Sequence, residues 1–290
     1  MNAQTYSRTA EHMALCRAVE YSTRSPGRRI LSDPWAIRLI PNPIWRTVAS
    51  FALSSRIASA VYGWRMPGAQ EYILARARLV DDCTREAARQ GLEQLVILGA
   101  GFDTTIFRLR DCLRKVRVFE VDHPATQAMK VARLRRLTEP GRVVFLPVDF
   151  EREDFVQRLR DAGFDPGRRT LITWLGVAYY LTATAATRTI GQVAELTAPG
   201  TGFLFDYASE AVVAGRVEAP MARSAFRCVA RMGEPFLSGL EPARLHAYLS
   251  GLGFRLARHW DSRQLRQRYC NADRKNPSDF VHIAYAERLA

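Results

Sequence analysis

Apolar and polar positions along the chain follow two alternating patterns. Short apolar runs predict seven β-strands, at residues 95–98, 116–122, 142–148, 170–176, 201–207, 254–260 and 280–286. Stretches with the helical spacing of apolar residues separate the first five strands, at 104–112, 124–137, 152–162 and 183–196. Strands that alternate with helices in this way indicate a parallel sheet covered on both faces.

The end of the chain refines this prediction. Nineteen residues separate the sixth and seventh runs, yet no crossover helix is evident between them. If the seventh strand runs antiparallel beside the sixth, the sheet has seven strands, as in the Rossmann-like methyltransferases, instead of the six of an NAD domain. The predicted fold class is therefore α/β, with a Rossmann-like seven-stranded class I methyltransferase sheet.

Two regions lie outside the predicted sheet. Residues 1–90 carry helical patterns broken by Pro and Gly, and they are predicted to form an N-terminal helical cap before a methyltransferase domain at 91–290. Within this cap, 69–90 is predicted to be the helix that packs before the first strand. Residues 208–240 form an insertion after the fifth strand, which is either a substrate lid or a helix pair that fills a groove.

The glycine-containing turn after the first strand is the strongest sign of a ligand site. The strand ends in Gly99-Ala100-Gly101 and passes directly into a helical stretch that contains Asp103. Glycine lets the backbone turn sharply and lets a ligand approach the bare main chain. The third glycine of the dinucleotide fingerprint is missing, so the motif alone also fits a tight turn without a ligand.

Acidic residues follow the next two strands. Glu120 and Asp122 end the second strand about twenty residues after Gly99, where a carboxylate can bind the hydroxyls of a ribose; both remain candidates. Asp149 and Phe150 follow the third strand and can contact an adenine ring, or Asp149 can cap the next helix. Sites at the carboxyl ends of three consecutive strands favour a nucleotide-like ligand, since ligands of open α/β sheets bind there.

Composition excludes several classes of protein. No apolar run of eighteen residues and no secretory signal is present, which predicts a cytoplasmic protein without a membrane partner. The five cysteines are scattered and the five histidines show no ligand spacing, so neither a disulfide framework nor a metal site is expected. The net charge of +13 is almost entirely due to dispersed arginine, which makes a nucleic-acid partner unlikely but leaves it open.

The chain resembles the leucine carboxyl methyltransferase family, in particular its bacterial S-adenosylmethionine-dependent branch. The resemblance spans roughly residues 9–181 and rests on the segments TAEHMALCRAVE, DPWA, ARARLVDD, LGAGFDTTIFRL, FEVDHPATQAMK, LPVDF and TWLGVAYYLT. It implies S-adenosyl-L-methionine as the cofactor and methyl transfer as the reaction.

The resemblance also assigns roles to single residues. Arg76 is similar to the arginine that holds the carboxylate of the cofactor, and Arg17 to a second basic contact. Gly99 and Gly101 would contact the methionine portion through their main chain.

Further along the family motifs, Asp122 would hold the ribose, and Asp149 and Phe150 would frame the adenine. Asp103 would order the turn at the start of a helix. Many family members have glutamate where this chain has Leu175, which puts the protein-phosphatase activity of the family in doubt for this chain.

The expected activity is methyl transfer to O, N or C of a small organic acceptor, such as one in secondary metabolism. Tyr179, Tyr180, Tyr207 and His123 are the candidates for a general base, if the acceptor needs one. Two alternatives stay open: a tRNA-modifying enzyme, and a cofactor-binding protein without turnover. The sequence does not indicate the oligomeric state.

Overall fold

The computed structural model describes residues 5–134, 143–216, 220–270 and 280–290. Its strands form one sheet in the order β3-β2-β1-β4-β5-β7-β6, and β7 runs antiparallel to both of its neighbours. The strand bounds are β1 Gln94–Leu98, β2 Arg117–Asp122, β3 Val143–Pro147, β4 Thr170–Trp174, β5 Gly202–Ala208, β6 Phe254–Asp261 and β7 Val281–Arg288. The predicted fold class, a Rossmann-like seven-stranded class I methyltransferase sheet, is confirmed.

Helices precede and connect these strands. Five lie before β1: α1 Arg8–Thr23, α2 Ala36–Leu39, α3 Pro43–Ser50, α4 Ala52–Arg65 and α5 Ala69–Arg89. The others that the structure describes are α6 Thr105–Arg108, α7 Pro124–Leu134, α8 Phe155–Asp161, α9 Ala183–Leu196, α10 Glu210–Val213, α11 Pro220–Arg231, α12 Leu245–Gly251 and α13 Ser262–Cys270. The division into a cap and a methyltransferase domain remains a prediction.

The predicted elements differ from the structure at three places. A helix, α13, does connect β6 and β7, and sequence reasoning missed it because this polar segment buries few apolar side chains, Leu265 among them. The helix after the glycine turn is only one turn long and ends at Arg108. Helix α8 begins at Phe155 instead of 152, because Asp154 accepts a hydrogen bond from the Val156 N–H and so caps the helix there. Residues 135–137 of one predicted helix lie outside the described part.

The core lies on both faces of the sheet. Helices α8, α9 and α12 cover one face, whereas α5 and α13 cover the other. Every residue of β1, β4 and β5 is buried, as expected of central strands, which explains their unbroken apolar runs.

The strand register brings the ends of the parallel strands to one edge. Leu98 of β1 pairs with Val121 of β2 and Trp174 of β4, and Trp174 pairs with Phe205 of β5. The residues that follow these four positions therefore meet at the same edge of the sheet. The N-terminal helix α1 packs against α2, α3 and α4 and also contacts α5. No helix in the described ranges has the length and apolar character needed to cross a bilayer.

Candidate active site

A cavity of about 500 Å³ lies at the carboxyl edge of the parallel strands. Its wall is made by the turns after β1 to β4, by α1 and α5, and by the segment after α11. The residues singled out in the sequence that line it are Arg17, Arg76, Gly99, Gly101, Asp103, Asp122, His123, Asp149, Phe150, Leu175, Tyr179 and Tyr180. The fold thus brings most of the predicted site residues to one cavity, whereas Glu120 and Tyr207 do not line it.

The glycine turn is held in a conformation that side chains would prevent. Gly99 and Gly101 both have positive φ angles, 65° and 48°. A Cβ atom on Gly99 would lie 2.1 Å from Cγ2 of Val177, and one on Gly101 would lie 3.0 Å from Cβ of Ala10 in α1. The bare backbone therefore lets α1 and the β4 turn close over the floor of the cavity.

Asp122 is fixed in the cavity by two main-chain donors. The N–H groups of Gly101 and His123 each donate to one of its carboxylate oxygens, the latter at 2.6 Å. Each oxygen keeps a further acceptor position, since an ionised carboxylate offers about four. Burial raises the pKa of Asp122 to about 6, although both main-chain N–H groups act in the opposite direction. The side chain is thus an oriented acceptor that is charged at neutral pH.

Glu120, the other candidate on β2, occupies a different environment. It is completely buried, and its Oε2 lies 2.6 Å from Nζ of Lys130 in α7. Burial raises the pKa of Glu120 to about 7, while Lys130 opposes this shift. The geometry therefore favours Asp122 over Glu120 as a residue that can contact a ligand.

Asp149 and Phe150 border the cavity beyond β3. Oδ1 of Asp149 accepts from the Glu151 N–H at 3.0 Å, so the side chain orders the turn in front of α8 while still lining the cavity. The Phe150 ring is buried and packs edge-on against Phe155 at 5.9 Å. Asp149 therefore orders the turn after β3, and Phe150 gives the cavity an aromatic wall at the same place.

A buried network of charges joins the N-terminal helices to the glycine turn. Nε of Arg17 donates to Asp33 at 2.9 Å, and its Nη2 donates to the Phe102 carbonyl at 2.7 Å. Arg108 binds Asp33 and Asp81 on its two sides, at 3.4 and 2.8 Å. Burial by itself would raise the pKa of Asp33, but Arg108 and Arg17 hold it below its usual value. Arg17 therefore has a structural role in addition to any contact with a ligand.

Asp103 orders the start of α6. Its Oδ1 accepts from the Thr105 N–H at 2.7 Å and its Oδ2 accepts from the Thr105 hydroxyl at 3.0 Å. Burial tends to raise the pKa of Asp103, but Arg108 and other cations outweigh it and lower the pKa. The carboxylate therefore remains charged at the beginning of a helix, where the helix dipole favours it.

Arg76 of α5 lines the cavity and reaches the turn after β4 and the end of β5. Its Nη1 donates to Oδ2 of Asp206 at 2.6 Å and to the hydroxyl of Tyr179 at 3.1 Å. Asp206 in turn accepts from the Gly176 N–H at 2.7 Å. This arrangement fixes the guanidinium, which lines the cavity, through a carboxylate that has no exposed surface.

The candidate bases have different surroundings. Burial raises the pKa of both Tyr179 and Tyr180, and the charge of Asp206 raises that of Tyr179 further. Tyr207 is directed away from the cavity: its hydroxyl lies 2.8 Å from Nε2 of His259 and its ring stacks on His282. Among the four candidates, Tyr207 is therefore separated from the site by the fold, and the two cavity tyrosines remain protonated.

His123 also lines the cavity, next to Asp122. Its Nδ1 lies 3.3 Å from the Ala125 N–H, the geometry of a hydrogen bond at the first turn of α7. Leu175, where many relatives were expected to carry glutamate, contributes an apolar side chain to the wall. No cluster of three or more potential metal ligands occurs among the described residues.

The insertion after β5 closes one side of the cavity. Oε2 of Glu234 accepts from the Ser7 hydroxyl at 3.1 Å and from the Thr9 N–H at 3.2 Å, at the N-terminus of α1. The Leu237 N–H donates to the Tyr179 carbonyl at 2.7 Å. The segment that follows α11 is thus tied both to α1 and to the turn after β4.

A second, smaller chamber of about 90 Å³ adjoins the main cavity. The residues that line both spaces are Met13, Ile73, Arg76, Tyr179 and Tyr180. The remaining wall is largely apolar and comes from α4, α5, α11, the segment after α11 and the start of β7, with Tyr62, Met66, Pro67, Ala69, Tyr72, Ala225, Val229, Phe236, Phe280 and Val281. Four of its aromatic rings are in contact: Phe236 stacks on Tyr179 at 4.3 Å and also contacts Tyr180 and Phe280.

Residues 10–194 match the model of the leucine carboxyl methyltransferase family. The chain belongs to this family. It is 32% identical over 214 residues to "Putative S-adenosyl-L-methionine-dependent methyltransferase YktD" of Bacillus subtilis, a match that covers 73% of the chain and 70% of that relative. A "Putative S-adenosyl-L-methionine-dependent methyltransferase" of Mycobacterium avium is 30% identical over 265 residues. This match covers 88% of the chain and 85% of that relative.

The fold has a solved counterpart as well. A DUF574 family protein from Streptomyces avermitilis superposes with a TM-score of 0.62 at 14% identity, covering 94% of the chain and 96% of that structure. The chain is an S-adenosylmethionine-dependent methyltransferase with the leucine carboxyl methyltransferase fold.

The residues of the main cavity fit this cofactor. A volume of about 500 Å³ is within the usual range of about 300–1,000 Å³ for small-ligand pockets. The donor set is also suitable: a charged carboxylate at Asp122 can accept from ribose hydroxyls, and an arginine can bind the carboxylate of the methionine portion. Phe150 offers an aromatic wall beyond them.

Sequence reasoning missed two residues that shape this site. Asp206 could have been found, since it lies near the carboxyl end of β5, as Asp122 ends β2. Glu234 carries no such signal, because it lies in the insertion, with no strand end or motif nearby, and its partners are more than 220 residues away in the sequence.

Proposed function

We propose that this methyltransferase acts on a small acceptor with an apolar body and one nucleophilic group, held in the second chamber beside Arg76, Tyr179 and Phe236. The observation that carries the proposal is the aromatic chamber that shares part of its wall with the cofactor-sized cavity. Apolar pockets with few polar groups are typical of sites for small organic ligands.

The main cavity would hold the cofactor in one orientation. Asp122 would accept from the ribose hydroxyls, and Asp149 and Phe150 would contact the adenine. The main chain at Gly99 and Gly101 would face the methionine portion.

Arg76 and Arg17 would bind the carboxylate of the cofactor. Arg76 already binds Asp206, which orients it, so the guanidinium can add a partner without losing its position. This orientation would bring the transferable methyl group near the boundary of the two chambers, which Arg76 lines.

The chemistry then depends mainly on alignment. When bound, S-adenosylmethionine supplies a methyl group that the sulfonium already makes electrophilic. The chain's own residues hold the reactants in line and exclude water, and such positioning can lower a barrier by about 7–11 kcal/mol in favourable cases. The cofactor would supply both the methyl group and a neutral thioether leaving group, so Asp122, Arg76 and Arg17 would only have to hold it beside the acceptor.

No cavity tyrosine is suited to remove a proton from the acceptor. Arg76 donates to the Tyr179 oxygen, and burial keeps both Tyr179 and Tyr180 protonated. His123, the other candidate base, lines the main cavity but not the second chamber. We therefore propose an acceptor that is already nucleophilic, such as a carboxylate or an acidic phenol, because such a group loses its proton in water.

The charge distribution supports a small molecule over tRNA. The chain has a net charge of +13, but several arginines near the site are engaged in ion pairs, including Arg17, Arg76 and Arg108. A tRNA-modifying enzyme would instead need a continuous basic surface directed at phosphates. Methylation of tRNA is the alternative function, and the following experiment distinguishes it from methylation of a small molecule.

The test uses methyl-labelled cofactor with two acceptor pools, a fractionated small-molecule extract and total tRNA from the same cells. We expect label in the organic-soluble fraction and none in tRNA. Label in tRNA alone would contradict the proposal.

Two variants of α11 locate the acceptor. Ala225→Leu places a larger side chain in the second chamber, whereas Ala230→Leu changes an exposed position of the same helix. We expect Ala225→Leu to reduce labelling at least about tenfold while cofactor affinity is unchanged, and Ala230→Leu to leave both unchanged. Equal labelling by the two variants would show that the acceptor binds elsewhere.

A further inference from the structure

The outer surface of helices α3 and α4 exposes large apolar side chains. On α4, Leu53, Ile57, Val61 and Trp64 recur at intervals of four, four and three residues, so they form a stripe along one face of the helix. With three neighbours from α3 and the link between the helices they form the α3–α4 apolar face: Ile44, Trp45, Phe51, Leu53, Ile57, Val61 and Trp64.

The number of exposed apolar side chains distinguishes this face from the rest of the described surface. Seven of the nine large apolar side chains that are exposed in the described residues belong to it, with Trp64 at 81% and Leu53 at 72% exposure. On the inner side of the same helix, the small residue Ser55 is fully buried. Helix α4 therefore points its large apolar residues toward solvent, which a folded protein does when that surface has a partner.

The charge of the segment indicates the kind of partner. Residues 34–70 contain four arginines and no aspartate or glutamate. A symmetric dimer through this face would place the same arginines of two copies near one another without an acidic residue from the segment to compensate. An anionic surface, in contrast, complements both the apolar side chains and the arginines.

We propose that the α3–α4 apolar face docks on the surface of an anionic phospholipid bilayer. Trp45 and Trp64 would lie at the level of the headgroups, the aliphatic side chains would enter the acyl boundary, and Arg46 and Arg56 would contact lipid phosphates. This binding is peripheral, so it is compatible with the absence of a membrane-spanning helix among the described residues. It differs from the sequence-based expectation that a membrane is not a partner.

The docking face also borders the second chamber. Tyr62 lies between Val61 and Trp64 in the sequence of α4, and Met66 follows the last residue of the helix; both side chains line that chamber. An apolar molecule dissolved in the bilayer would thus have a short path to the chamber. The docking itself rests only on the α3–α4 apolar face and does not depend on the proposed acceptor.

The test is sedimentation of the full chain with two kinds of vesicle, phosphatidylcholine alone and phosphatidylcholine with about one third phosphatidylglycerol. We expect binding to the anionic vesicles at least about tenfold tighter than to the neutral ones, and weaker binding as salt is raised. Absence of binding to the anionic vesicles would overturn the proposal.

Matched variants test whether this face is responsible. The triple variant Leu53→Ser, Ile57→Ser, Trp64→Ser should lose at least about tenfold in vesicle affinity, whereas Leu289→Ser, an exposed apolar residue at the other end of the chain, should not. Arg46→Gln with Arg56→Gln retains the apolar residues and should reduce binding to anionic vesicles selectively, which gives a reading even if the triple variant does not fold.

The oligomeric state provides the opposing outcome. Sedimentation velocity of the full chain and of the triple variant would reveal a dimer that depends on this face. If the triple variant binds vesicles as the full chain does, the proposal is wrong. If that variant also converts a dimer into a monomer, the face is instead an interface between copies.

Discussion

The pH dependence of cofactor affinity tests the role of Asp122 without any substitution. Burial raises the pKa of Asp122 to about 6 in the unliganded protein. Hydrogen bonds from ribose hydroxyls would favour the charged carboxylate, so binding should weaken as the pH falls through this value and the side chain takes up a proton. If only the ionised form binds, we expect a constant Kd above about pH 7 and a loss of up to about tenfold per pH unit below pH 6.

The substitution Asp122→Ala gives the corresponding magnitude. A hydrogen bond to a charged group contributes about 1.5–3 kcal/mol, which corresponds to roughly 10- to 150-fold in Kd. Calorimetry with S-adenosylhomocysteine from pH 5 to 8 measures both effects, and the variant should show weak binding with the pH dependence removed. Circular dichroism and thermal unfolding establish whether the variant keeps its fold, since the lost carboxylate also accepts from Gly101 and His123.

A matched control is available two residues earlier on the same strand. Glu120→Gln alone would leave Lys130 buried without a counter-charge, so Lys130→Met is added to replace the whole pair. We expect this double variant to bind the cofactor with unchanged affinity at pH 8. Because Lys130 lowers the pKa of Asp122, the loss of affinity at low pH should begin at a higher pH in this variant than in the full chain. The reasoning is refuted if the double variant loses affinity while Asp122→Ala does not, or if the full chain binds equally well at pH 5 and pH 8.

Three further predictions concern the residues that build the site. Arg76→Lys keeps the charge but loses the fork of donors, so calorimetry should show cofactor binding at least about tenfold weaker in a folded protein; unchanged Kd would remove Arg76 from the site. Arg108→Ala removes the buried guanidinium that Asp33 and Asp81 share, and leaves them only Arg17 and the more distant Arg85. It should lower the free energy of unfolding by about 3–5 kcal/mol in urea, against less than about 1 kcal/mol for Arg85→Ala, whose side chain is more exposed. Gly99→Ala forces a side chain onto a positive φ and into its neighbour, and should destabilise the protein by more than about 2 kcal/mol, whereas Gly191→Ala in an open helical position should not; equal stability of the two variants would contradict the packing argument.

Much of the fold followed from local sequence patterns. Central parallel strands are buried on both faces, so their apolar runs are continuous and their positions were predicted to within a few residues. Helix α9 was predicted with its observed bounds because it has a regular apolar stripe and a capping residue, Thr182. Helix α13 was missed because its segment is polar and shows no such stripe.

The site could be predicted only where a residue stands at a strand end or in a family motif. Gly99, Asp122 and Asp149 satisfy one of these conditions, and the register of the parallel strands brings them to one edge. Between Glu120 and Asp122 the sequence left the choice open. The choice depends on which carboxylate faces Lys130 in α7 and which one faces the cavity. The packing of α7 on the sheet determines these two orientations.

The sequence by itself thus determined the sheet, the glycine turn and the class of cofactor, because these depend on short-range spacing and on motifs. Tertiary structure decided which charges are paired and which face of each helix is exposed. Glu234 reaches the N-terminus of α1 across the cavity, although it belongs to no local pattern. Trp64 belongs to an apolar stripe of α4 that by spacing alone would be expected to face the core, yet it lies in solvent. Contacts between segments far apart in the chain arise only when the core has brought them together, so no local pattern records them.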